Sequence, residues 1–251
     1  MSETTPLLPG PLFFPRVITL DREIHAGLRL DRRAGFGFAA TTQAIPLAIA
    51  EIPLAARHFP VVFAVGDKPM PLAVTGYREG ENLFVETNGS WHAGTYMPAW
   101  LRAHPFILIE PPQGGDDYLI GMAEAAASLS DTEGEPLFMA EQQPSPVLRD
   151  AITLCQSLRE GLANTENMVL ALLAEGLLEP QEARLEFNGG GVARLDGFQV
   201  INPARLQALS DSTVLEWHRN GWLSTAYAAL HSAASWGNLM DIATRRRNQQ
   251  H

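Results

Sequence analysis

Lysine is nearly absent from this chain, with one residue in 251, Lys68, against 17 arginines. A Schiff-base mechanism would have only that residue to use. The imbalance reads as the codon usage of a GC-rich genome. Cysteine is as scarce. Cys155 stands alone, which excludes an intramolecular disulfide and fits a reducing compartment. It sits in the apolar helical pattern Ala151-Ile152-Thr153-Leu154-Cys155, so a small buried residue is expected rather than a nucleophile. No apolar run approaches the ~18 to 20 residues that cross a bilayer, which excludes a membrane-spanning helix. The opening MSETTPLLPG lacks the basic and apolar regions of a secretory signal, and a cytoplasmic location is expected.

Positive charge is also short. Lys+Arg number 18 against 28 Asp+Glu, a net charge of −10, which disfavours a nucleic-acid partner. The deficit is local. Residues 110–186 hold 15 acids and 3 arginines, and the rest of the chain holds 13 acids and 15 bases. The middle third is thus either a solvated acidic face or a docking surface for a basic partner.

Catalytic motifs are missing too. The seven histidines include no HxH or HExxH, so no metal site is expected. There is no GxSxG elbow, and Ser90 beside Trp91-His92 follows Asn88-Gly89, which reads as a turn. Gly189-Gly190-Gly191 is not a phosphate loop, and Gly35-Phe36-Gly37 lacks the third glycine of a dinucleotide fingerprint. No cofactor is expected.

Apolar residues make up 46% of the chain, enough for a folded core. The pattern predicts strands at Arg16–Leu20, Phe36–Ala40, Val61–Val65, Pro71–Tyr77, Asn82–Glu86, Phe106–Glu110 and Tyr118–Met122. Short turns predict two hairpins, one joining Pro71–Tyr77 to Asn82–Glu86 and one joining Phe106–Glu110 to Tyr118–Met122. Helices are expected at Pro53–His58 and Pro98–Ala103, each with proline in its first turn. From Pro146 the pattern turns helical, with a second helix capped by Thr165 and ended by Gly176. Strands at Leu185–Phe187 and Gly197–Ile201 flank the glycine turn, and helices follow from Pro203, from a cap at Asp211 or Ser212, and from Trp222 to Arg247. The expected fold is α+β: a mainly antiparallel sheet with inserted helices at about 16–125, a polar connector at 128–145 and a helix-rich part at 146–247.

Two groups of residues are candidates for function. Glu51, His58 and His92 have the types needed for acid–base work, although a salt bridge or a surface histidine is their commoner use. Trp91, Tyr96, Trp100 and Arg102 crowd into one short segment, with Phe106 close behind. Such residues bury area at low entropic cost, either in a core or at a surface that holds a peptide or protein partner.

The chain resembles the SapC family of bacterial proteins from Ile45 to about Asp241. The resemblance is carried by Ala50-Glu51-Ile52-Pro53 through Arg57-His58-Phe59-Pro60-Val61-Val62-Phe63, and by Gly76-Tyr77-Arg78-Glu79-Gly80-Glu81-Asn82-Leu83-Phe84-Val85. Trp91, Tyr96-Met97-Pro98-Ala99-Trp100-Leu101-Arg102-Ala103-His104-Pro105-Phe106 and Gly134-Glu135-Pro136-Leu137-Phe138 extend it, and Leu177-Leu178-Glu179-Pro180 and Gly197-Phe198 follow in order. Only Glu124 stands where the family carries an acidic strand ending, and Met139–Ser145 replaces a family motif. The length implies one complete unit of this family. The family name implies an association with bacterial surface layers. Its usual gene neighbours, among them flavin-dependent halogenase-like proteins, imply an accessory role in recognising a peptide or a partner enzyme. Three readings follow: a non-catalytic binding or accessory protein, a surface-layer structural protein, or an enzyme with a site near Glu51, His58 or His92.

Overall fold

The computed structural model describes residues 13–66, 69–110, 118–186 and 192–249. Most of the proline-rich arm, Lys68, the loop at 111–117 and the glycine turn at 188–191 lie outside that range.

The fully apolar run after Pro60 forms β4 (Val61–Ala64), with Val61, Val62 and Phe63 buried. A strand that is apolar on both faces needs cover on both. It lies in the middle of a five-stranded antiparallel sheet ordered β10 (Leu178–Glu186), β11 (Val192–Ile201), β4, β5 (Pro71–Val74), β3 (Ala44–Pro46). Val61 faces Ala73, Ala44 faces Val74 and Phe198 faces Ala64. A second sheet orders β1 (Val17–Thr19), β7 (Leu119–Ala123) and β6 (Phe106–Ile109). Its β6–β7 hairpin is the one the sequence predicts, with Phe106 opposite Met122. In a third sheet β2 (Arg29–Leu30) lies between β8 (Leu129–Ser130) and β9 (Glu135–Pro136), so the polar stretch 128–145 is tied by pairing and buries Leu137. The fold is α+β, as expected.

Two strand expectations fail, for one reason. Among the described residues Asn82–Glu86 pairs with no strand, and its one ladder-type contact is an isolated bridge from Val85 to Trp91. Asn82 is buried, and its side-chain oxygen accepts the Phe84 N–H at 2.9 Å while its amide donates to the Ala39 carbonyl at 3.0 Å. A short polar side chain that bonds nearby backbone offers the chain an alternative to a ladder. Phe36–Ala40 accordingly closes as a 3₁₀ turn at Gly37–Ala39, because its carbonyls at Ala39 and Ala40 are taken by Asn82. The hairpin partner of β5 is therefore β4 rather than Asn82–Glu86.

The helical half also departs from expectation. Thr165 does not start a helix. It lies inside one continuous helix, α3 (Pro146–Ala174), whose cap is Ser145. The buried Thr165 hydroxyl donates to the Gly161 carbonyl at 2.6 Å and accepts the Ile49 N–H at 2.7 Å, a partner 116 residues away in sequence. At 29 residues α3 is about 43 Å long, enough to join two cores. Its first half buries Val147, Leu148, Cys155 and Leu158 beside Phe106, Met122 and Leu137. Its second half sends Met168, Val169 and Leu172 into the larger core around β4. Cys155 is buried as expected, and burial pushes its thiol pKa up to about 11.

The remaining helices are α1 (Ile52–Ala55), α2 (Ala99–Ala103), α4 (Pro203–Gln207), α5 (Asp211–Arg219), α6 (Trp222–His231) and α7 (Trp236–Gln249). The cap of α5 is Ser210, one residue before Asp211 and two before Ser212, the two positions expected, its hydroxyl accepting the Thr213 N–H. From α7, Arg246 donates to the carbonyls of Asn82 and Val85, which fixes the 82–92 loop against the C-terminal helix. No helix among the described residues is long and apolar enough to cross a membrane.

Candidate functional site

The aromatic and arginine segment is organised by a short helix and a buried carboxylate. Pro98 opens α2, and its carbonyl accepts the Leu101 N–H. Ala99, Leu101 and Ala103 turn inward, which leaves Trp100 and Arg102 on other faces. Glu51 holds the start of this helix. It is only 6% exposed. One of its oxygens accepts the Ala99 N–H at 2.6 Å and the Tyr96 hydroxyl at 3.0 Å, and the other accepts the Ala48 N–H at 2.9 Å. Both oxygens are thus engaged with donors from the protein itself.

The four predicted residues occupy different depths. Trp91 lies in the larger core, stacked on Phe84 at 5.8 Å between centroids, and its ring N–H donates to the Tyr96 carbonyl at 3.1 Å. Tyr96 and Trp100 are half-buried. Burial, then the neighbouring Glu51 carboxylate, pushes the Tyr96 hydroxyl up to about 12, against an opposing pull from Arg102. Arg102 alone of the four is exposed.

The helix thereby separates two clefts. On one side Trp100 lines a space of about 250 Å³ with Phe106, Cys155 and Arg159, the last lying 3.7 Å over the Tyr118 ring. On the other, Arg102 borders a cleft of about 360 Å³ walled by Phe36, Phe38, Met97, Leu101 and His104. Its polar lining includes Arg32, Ser128 and two carboxylates, Asp31 and Asp150. Phe38 lies flat on the His104 imidazole, 3.6 Å between centroids and 15° between planes. The His104 Nδ1 and Ser128 Oγ atoms are buried with no hydrogen-bond partner within the protein. Unpaired buried polar atoms are uncommon in folded proteins.

Glu51, His58 and His92 line neither cleft. His92 pairs through Nδ1 with Glu86 at 2.5 Å. His58 follows α1, and burial, then Arg57, lowers its pKa. Sequence reasoning missed the second cleft. His104 was visible inside the Ala103-His104-Pro105 segment, but Phe38, Ser128 and Asp150 carry no local signal of a shared site. Only folding brings them together.

The buried imidazole makes a testable prediction. Burial lowers the His104 pKa from 6.5 to about 4. In the unfolded chain the ring takes a proton as pH falls through about 6.5, whereas the native ring stays neutral until about 4. The unfolded state binds more protons within that window, so stability falls as pH drops through it and levels off below. After discounting for the ring's residual exposure, the loss is about 2 kcal/mol. His58 acts in the same direction, and Glu81, raised by burial, opposes it. In urea titrations at pH 7.5 and 4.5, His104→Gln should lose less stability than wild type by that amount. Equal losses would reject the assignment.

A protein-family model described as SapC matches residues 20–239. No curated protein and no solved structure matches the chain.

Proposed function

Since the chain belongs to the SapC family, we propose that it is a non-catalytic binding protein whose Arg102 cleft holds a peptide segment of a partner. The observation that carries this reading is the setting of Arg102. It is exposed at the edge of an apolar cleft of about 360 Å³, a volume within the range of ligand sites, on a helix fixed by a buried carboxylate. Arginine at the edge of an apolar depression is a common anchor in binding surfaces. The groups with the best chemistry are committed elsewhere. Glu51 is occupied by three donors, and the Cys155 thiol is kept protonated by burial.

The test is a displayed random-peptide selection on the full chain, followed by affinity measurements on the selected peptides. Arg102→Ala should weaken them at least tenfold while leaving the thermal unfolding midpoint nearly unchanged, since an exposed side chain adds little to stability. Trp91→Ala is the wrong control, because removing a core aromatic costs about 3 to 5 kcal/mol. Unchanged affinities in Arg102→Ala would reject the cleft as the binding site.

A further inference from the structure

The arginines around the second cleft are unequally committed. Arg29 donates to the Gly134 carbonyl at 2.8 Å. Arg33 is held by Asp31 at 2.8 Å and by Glu133 at 2.8 Å, which more than offsets its charge and fixes its fork. Arg32 differs. Among the described residues its ion-pair partner is Glu135, 3.9 Å away, and both side chains are mostly exposed. A pair at that distance in water is weak. Arg102 interacts with the Tyr96 hydroxyl, and that phenol stays neutral at pH 7. Among the described residues, Arg32 and Arg102 thus line one cleft with no carboxylate partner closer than 3.9 Å, and Asp31, which also lines it, is held by Arg33.

The rest of the cleft narrows the ligand. Phe36, Phe38, Met97 and Leu101 supply an apolar wall that suits a large hydrophobic side chain. His104 adds no charge, because burial keeps its ring neutral. Asp150, an exposed residue of α3, also borders the cleft and is able to accept a peptide N–H. The volume, about 360 Å³, has room for more than one residue. Arginine's planar fork matches a carboxylate better than any other side chain does.

We propose, building on the binding role above, that the occupant of this cleft is the free carboxyl end of a peptide whose last side chain is large and apolar. The terminal carboxylate sits on Arg102 and Arg32, and the last side chain packs on Phe36, Phe38 and Met97. Asp150 accepts an N–H from the residue before it.

Isothermal titration calorimetry of the full chain at pH 7.5 tests this with the peptide Gly-Gly-Phe, its C-terminal amide and free L-phenylalanine. Gly-Gly-Phe should bind at least tenfold more tightly than the amide. Arg102→Ala and Arg32→Ala should each weaken the acid by fivefold or more and leave the amide unchanged. Equal binding of acid and amide, both weakened by Met97→Ala, would overturn the carboxylate proposal and leave the cleft as a binding site. L-Phenylalanine binding more tightly than the peptide would also overturn it, in favour of a free amino acid. If none of the three probes binds, the carboxyl-end proposal falls. If Arg102→Ala also leaves the selected peptides of the preceding test unaffected, the binding role falls with it.

Discussion

Glu51→Ala should be the most damaging single substitution of a polar residue in this protein, lowering stability by about 3 to 5 kcal/mol. The loss does not come from a missing ion pair. It comes from three donors left behind, the N–H groups of Ala48 and Ala99 and the Tyr96 hydroxyl, with the two N–H groups buried. Each buried donor without an acceptor costs about 1 to 3 kcal/mol. Glu51→Gln gives a sharper comparison. Its carbonyl oxygen can still accept from Ala99 and Tyr96, but its amide would point hydrogens at the Ala48 N–H. The Gln variant should fall between wild type and Ala. Urea denaturation with a two-state fit measures both. A loss below 1 kcal/mol in Glu51→Ala would mean that water reaches the site and replaces the carboxylate. It would also remove the basis for treating α2, and with it Arg102, as rigidly placed.

The second large effect is expected at Gly76, where close approach of the backbone leaves no room for a side chain. A methyl group there would sit 2.0 Å from the Glu81 carbonyl oxygen and 2.9 Å from its carbon. The obstacle is backbone, so it cannot swing aside as a flexible side chain would. Gly76→Ala must open the turn that returns the chain from β5 to Asn82, where the Leu83 N–H donates to the Thr75 carbonyl at 2.8 Å. Forcing atoms into a filled space costs about 1 to 3 kcal/mol and occasionally more, and the upper end is expected here. Gly80, four residues on, is the internal control. It holds φ at +72° but has open space around its missing side chain. Gly80→Ala should cost only about 1 to 2 kcal/mol for the left-handed backbone. Thermal unfolding of the two variants decides the matter. If Gly80→Ala is the more damaging, close approach is not what places glycine at position 76.

Much of the fold was legible because it is written locally. Val61–Ala64 reads as a buried strand from composition alone, since nothing in it is polar. The hairpin of β6 and β7 follows from two apolar runs and a short polar break. Pro98, Pro146 and Pro203 each announce a helix, because proline suits the first turn and little else in a helix. The buried state of Cys155 follows from its apolar neighbours at helical spacing. The mistakes share a different logic. Asn82–Glu86 has a good strand pattern, yet the Asn82 side chain and Arg246 take the groups that a ladder would use. Thr165 has the side chain of a cap, yet Ile49 claims it from across the fold. Both outcomes depend on a partner far away in sequence, which no window of residues contains.

The same division runs through the candidate site. The segment 91–106 stood out for its aromatics and arginine, and the sequence alone sufficed to mark it. Sequence also restricted the chemistry, through the single lysine, the single cysteine and the absence of metal or nucleophile motifs. Which of the marked residues meets solvent was decided by tertiary structure. Trp91 went into the core, Tyr96 became a link to Glu51, and Arg102 was left at the surface. The cleft beside Arg102 is assembled from the turn after β2, from α2 and its exit, from the stretch before β8 and from α3. Periodicity reports which side of one element is apolar. It carries no record of which other element will cover that side, because that choice is made by packing between segments a hundred residues apart.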